Sequence, residues 1–157
     1  PTNGVRGEEM KYIYGIRNAT ISAHDSGGME YEHVNTLLCG LPLACTNYSS
    51  GEDFCEQPFV YPINWHPKFQ HQTSFMKAAS DTKSIKNFMT KIARMNPAQI
   101  QEVGEKGRDW AVKTFSVDAI CSQWEKVFDA LPVKDWSSVT IEPKKKDPTF
   151  PMPEIEK

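Results

Sequence analysis

The run ISAHDSGGMEYEHVNTLLCGLPLACT, Ile21 to Thr46, constrains the fold of this chain more than any other stretch. Its first four residues belong to a short β-branched segment, ATISAH (19–24), suited to a buried strand. Asp25-Ser26-Gly27-Gly28 interrupts that segment. From Glu30 to Leu38, Tyr31, Val34, Leu37 and Leu38 then fall on one helical face. Gly40 stands where a left-handed helix cap takes glycine, Pro42 bars continuation, and LACT (43–46) reads as the next strand. Strand, turn, helix, strand is a βαβ unit, which implies parallel strands joined by a right-handed crossover. The expected fold class is α/β.

The flanking sequence extends this frame. Residues 6–17 place Met10, Ile13 and Tyr14 at helical spacing, with Glu8 and Glu9 in the first turn. Residues 49–56 read as a loop rich in serine, glycine and acid, and FVYPI (59–63) as a short strand cut by Pro62. Three helices are expected next. The first, about 82–94, buries Ile85, Phe88, Met89, Ile92 and Met95. The second starts at Asn96-Pro97 and carries Ile100, Val103, Gly107, Trp110 and Ala111 on one side. The third opens at Ser116, with Ile120, Trp124, Val127, Phe128 and Leu131 as a stripe read as core. From Pro132 onward, five of the eleven prolines and the run Lys144–Lys146 mark an extended tail. The organisation expected is a folded unit over 1–131 and a Pro/Lys-rich tail over 132–157.

Composition excludes several function classes. A net charge of -2 argues against a sequence-independent nucleic-acid binder, and the tail's five lysines are matched by five acids. No run approaches the roughly 18 apolar residues of a membrane span, and no signal peptide is visible. Cys39, Cys45, Cys55 and Cys121 have no C-x-x-C pairing, which points to free thiols in a reducing compartment and a cytoplasmic location. His24, His33, His66 and His71 lack the close ligand pairs of a zinc site, so no metal is expected.

In an open α/β sheet, ligands bind beyond the carboxyl ends of the strands, where loops lead into helix N-termini. The turn Asp25–Met29 falls at such a place. Two glycines allow close backbone approach, and the free N–H groups from Met29 to Glu32 suit a phosphate. The turn has neither the G-x-G-x-x-G nor the Walker pattern, and a tight strand-to-helix turn with nothing bound meets the same spacing. Glu30 and Glu32 would repel a phosphate directly above them. If an anion binds here, they should turn aside and accept from hydroxyl groups, which a ligand with phosphates and sugar hydroxyls provides. Glu32, Asn35 and Thr36 share a helix face at i, i+3 and i+4; a solvated polar face satisfies that spacing equally.

The ordered run NATISAHDSGGMEYEHVNTLLCGLPLACT resembles the donor-binding segment of group 1 (family 4-like) retaining glycosyltransferases of the GT-B fold. GEEMKYIYGIRNATIS is similar to the helix and strand before that segment. VGEKGRDWAVKTFSVDAICSQWEKVFDAL is similar to the family's closing helices. The resemblance spans residues 5–131. It implies a partial Rossmann-like domain followed by C-terminal helices, the C-terminal half of a GT-B fold. The preceding, acceptor-binding domain of the same chain would lie outside this sequence, leaving the chain alone without transferase activity. The family keeps two glutamates eight positions apart; aligned on Cys39-Gly40-Leu41-Pro42, those positions hold Gly27 and Asn35. Asp25 or Glu30 is then the candidate catalytic carboxylate facing the donor sugar. Asn35 or Glu32 is the candidate acceptor for the ribose.

The resemblance therefore implies transfer of a sugar from a nucleotide-diphosphate donor to a carbohydrate or glycoconjugate acceptor. The donor would rest on Ser26, Gly27, Gly28, Met29, Glu32, Asn35 and Thr36, with no cofactor and no metal. Two alternatives remain open: another GT-B sugar-nucleotide enzyme such as an epimerase, or a non-catalytic nucleotide-sugar-binding or interaction module.

Overall fold

The computed structural model describes residues 7–135 and 137. Helix α1 (Gly7–Gly15) precedes strand β1 (Thr20–Ser22). Helix α2 (Tyr31–Leu38) leads to β2 (Leu43–Thr46), and α3 (Gly51–Cys55) to β3 (Val60–Ile63). These strands form one parallel sheet in the order β1-β2-β3, with Ala44 opposite both Ile21 and Tyr61. An antiparallel hairpin follows, β4 (Trp65–Phe69) with β5 (Met76–Ser80). Helices α4 (Thr82–Arg94), α5 (Pro97–Phe115) and α6 (Val117–Ala130) complete the described chain. The architecture is mixed α/β with C-terminal helices, compatible with part of a Rossmann-like domain.

Alternation along β2 explains why all four of its residues are buried. Leu43 and Cys45 face one layer, with Val34 and Leu37 of α2, Phe54 of α3, Val60 and Ala111 of α5. Ala44 faces the other, with Ile63 and Phe88 of α4, bordered by Ile21, Tyr61, Ile85 and Ile92. Helices therefore cover both faces, as a parallel sheet requires.

The α2–α5 contact is unusually close, and glycines allow it. Helix α2 ends in a double backbone cap: Gly40 N–H donates to Leu37 O at 2.9 Å, and Leu41 N–H donates to Thr36 O at 3.1 Å. Gly40 has φ 68°, the left-handed value that favours glycine. A Cβ placed on Gly104 of α5 would stand 1.8 Å from Gly40 O, and one on Gly107 would stand 2.8 Å from Leu37. Arg108 adds a guanidinium hydrogen bond to Leu38 O at the end of α2.

The helix starts fall where sequence reading puts them. Asp81 caps α4, Asn96 and Gln99 form a capping box on α5, and Ser116 accepts from Ala119 N–H to begin α6. Other expectations need correction. Residues 51–55, read as loop, make the single-turn helix α3. Residues 65–80 carry a hairpin that periodicity did not reveal. Met89 and Tyr31, assigned to apolar faces, are 59% and 74% exposed. The stripe of α6 read as core is exposed throughout, and no residue of that helix is buried. Of the tail, residues 132–135 are exposed and outside any helix or strand; Lys144–Lys146 lie outside the described residues.

Candidate functional site

Three connections meet beyond the carboxyl ends of the parallel strands, and hydrogen bonds tie them together. The β1–α2 turn reaches the β2–α3 turn through Ser49 Oγ, which donates to Gly27 O at 2.7 Å. His24 Nε2 lies 3.3 Å from Tyr48 O between the same turns. The hairpin after β3 folds back over this edge. Ala78 N–H donates to Asp25 O at 2.8 Å, and Tyr48 OH donates to Met76 O at 3.1 Å. The hydroxyls of Thr46 and Ser80 lie 2.8 Å apart. Ser49 holds φ 56°, a left-handed conformation costing a non-glycine residue roughly 1 kcal/mol, and its bond to Gly27 secures that strained position.

Within this frame the turn glycines differ from one another. Neither adopts a left-handed φ, so the turn itself does not require glycine at either position. At Gly27 a Cβ would meet Glu30 Oε1 at 1.8 Å: the missing side chain makes room for the folded-back Glu30 carboxylate. At Gly28 a Cβ would meet nothing within 4 Å. Glu30 is the N-cap of α2 and makes no side-chain cap bond, leaving the first helical N–H groups uncapped by a side chain. Ser26 and Met29 are exposed beside them.

The remaining candidates diverge. Asp25 pairs with Lys77 Nζ of β5 at 3.3 Å. Glu32 turns toward Arg17, 3.8 Å away. Asn35 is half-buried, whereas Thr36 is fully buried, with its hydroxyl lacking a hydrogen-bond partner. The turn thus brings Asp25, Ser26, Gly27, Gly28, Met29 and Glu30 together, while Glu32, Asn35 and Thr36 do not form one exposed face.

Sequence reasoning missed the histidines beneath the turn. His33, on the first turn of α2, is fully buried, and neither ring nitrogen has a hydrogen-bond partner. Its ring sits 5.1 Å from that of His24 and packs edge-on to Phe54 at 4.9 Å. Burial, reinforced by His24, lowers its pKa to about 4, so the ring is neutral near neutral pH. The available signal was positional: one histidine follows β1 and the other opens the next helix. Tyr48, Ser49 and Lys77 carried no such signal, because a hairpin invisible to periodicity brings Lys77 and the Tyr48 partner into place.

A cavity of about 70 Å³ bounded by Pro42, Pro58, Phe59, Phe88 and Ile92 lies between α4 and the sheet, away from this edge. The chain matches no protein-family model, no curated protein and no solved structure.

Proposed function

We propose that this chain is the donor-binding part of a glycosyltransferase that uses a nucleotide-diphosphate sugar. The observation that carries this reading is the open approach at Gly28 to the start of α2, at the carboxyl edge of a parallel sheet. Glu30 is folded against Gly27, leaving the Gly28–Met29 side for the diphosphate. Ser26 and the uncapped N–H groups of α2 supply donors, and the helix dipole favours the charge that develops as the nucleotide leaves. Sugar transfer would require the acceptor domain of a longer polypeptide, and the proposed location is cytoplasmic.

A second reading, a nucleotide-sugar-binding module without catalysis, is favoured by the Asp25–Lys77 ion pair. That pair occupies one of the two candidate catalytic carboxylates. Calorimetric titration of uridine and guanosine diphosphates tests the shared part of both readings. One should bind, and Gly28→Leu should weaken it about tenfold or more while preserving the circular dichroism spectrum. Absence of heat with both nucleotides, or a Gly28→Leu affinity equal to wild type, would sink the diphosphate site. Sugar release by a longer chain containing the acceptor domain separates the enzyme from the module.

A further inference from the structure

Cys45 and Cys55 stand on opposite sides of the β2–α3 turn, and their sulfurs lie 3.5 Å apart. Each thiol also points at the other's surroundings: Cys45 Sγ donates to Gly51 O at 3.8 Å, and Cys55 Sγ donates to Cys45 O at 3.6 Å. We propose that this dithiol is a reversible redox switch, closed by a peroxide and opened by a thiol reductant. A disulfide holds its sulfurs about 2.0 Å apart, so closure needs an approach of about 1.5 Å across a ten-residue separation.

The two thiols have unequal surroundings, which assigns their roles. Cys45 is fully buried in β2, whereas Cys55 is half-buried at the end of α3 and meets an oxidant first. When the Cys45 S–H turns from Gly51 O to donate to the Cys55 sulfur, it holds Cys55 below its ordinary pKa, while the same contact and burial push Cys45 up. Cys55 thiolate attacks one oxygen of the peroxide and becomes a sulfenic acid, releasing hydroxide, which takes up a proton to form water. The Cys45 sulfur then attacks the Cys55 sulfur; its proton leaves with the sulfenic hydroxyl as a second water, and the S–S bond forms. Hydrogen peroxide supplies the two-electron oxidation. The new bond would tie β2 to α3 across residues 46–54, the segment whose Tyr48 and Ser49 contact His24 and Gly27.

The switch is independent of the nucleotide reading and can be tested on the full 157-residue chain. The protein is treated with hydrogen peroxide, its remaining thiols are alkylated under denaturing conditions, and it is cleaved after glutamate. Cleavage after Glu32, Glu52 and Glu56 puts Cys45 and Cys55 on separate peptides. The expected product is a linked pair lighter by two hydrogens, assigned to Cys45 by fragmentation and abolished by dithiothreitol. In Cys45→Ala, Cys55 should instead accumulate as sulfinic acid or as a mixed disulfide with added glutathione. The exposed Cys39 and Cys121 serve as internal controls. Recovery of alkylated Cys45 alongside sulfinic Cys55 in the wild-type protein would overturn the proposal. Linkage of Cys55 to Cys39, or oxidation of Cys39 and Cys121 alone, would do the same. If Cys45→Ala fails to fold, the wild-type digest decides.

Discussion

His33 gives the protein a dependence on pH that follows from burial. The ring is neutral in the folded chain, with its pKa near 4, but takes up a proton near pH 6.5 once unfolded. The stability associated with the neutral ring is fully present above about pH 6.5 and is lost as pH falls toward 4. Over that window the loss from this residue amounts to roughly 3 kcal/mol. Urea unfolding at stepped pH should reveal it, and His33→Leu should flatten the curve there; an unchanged slope in the variant would exclude His33 as the source. Gly51 makes a second residue-level test. A Cβ there would lie 2.0 Å from the Thr46 carbonyl and 3.0 Å from the His24 ring, so Gly51→Ala should cost about 1–3 kcal/mol in chemical unfolding. The sequence made Gly27-Gly28 conspicuous and Gly51 ordinary. The structural demand is greater at Gly51, because adjacency of glycines says nothing about which backbone atoms will face the missing side chain.

At the scale of elements, helices were the most legible feature. The starts at Asn96 and Ser116 follow from local capping chemistry, that of α4 from its apolar spacing, and α2 and β2 from apolar spacing closed by Gly40 and Pro42. Helix α3 was hidden because five residues offer too few turns for a period to emerge. The hairpin was hidden because WHPKF and MKAAS contain proline, small residues and charge in place of alternation, and only Ala78 among their residues is buried. These two elements supply much of the contact around the candidate site, which explains why its ligand-facing backbone was easier to read than its surroundings. The α2–α5 crossing provides a direct test of packing. Gly104→Ala forces a methyl against the Gly40 backbone, which cannot rotate away as a side chain can. Its melting midpoint should fall by more than that of Ala98→Gly, a change at an exposed position near the start of the same helix. A fall no larger than that of Ala98→Gly would mean that the close contact costs no more than the lost helix propensity.

For the molecule as a whole, apolar periodicity identifies the helices without saying what each apolar face meets. Trp124 and Phe128 stack on α6 with ring centroids 5.4 Å apart, yet they are 55% and 61% exposed. That contiguous stripe should bind a hydrophobic fluorescent dye to the native protein, and joint Trp124→Lys and Val127→Lys substitution should remove most of the signal without lowering helix content. Persistence of the signal in that variant would place the dye elsewhere. The parallel sheet has a further consequence at its outer limit. Strand β1 pairs only with β2 among the described residues, so one row of its backbone donors and acceptors turns away from the sheet. That margin is covered rather than bare: Thr20 and Ser22 of β1 are only 4% and 6% exposed. The outer limit of the sheet is therefore closed to a passing strand, and pairing at β1 would first require its cover to move.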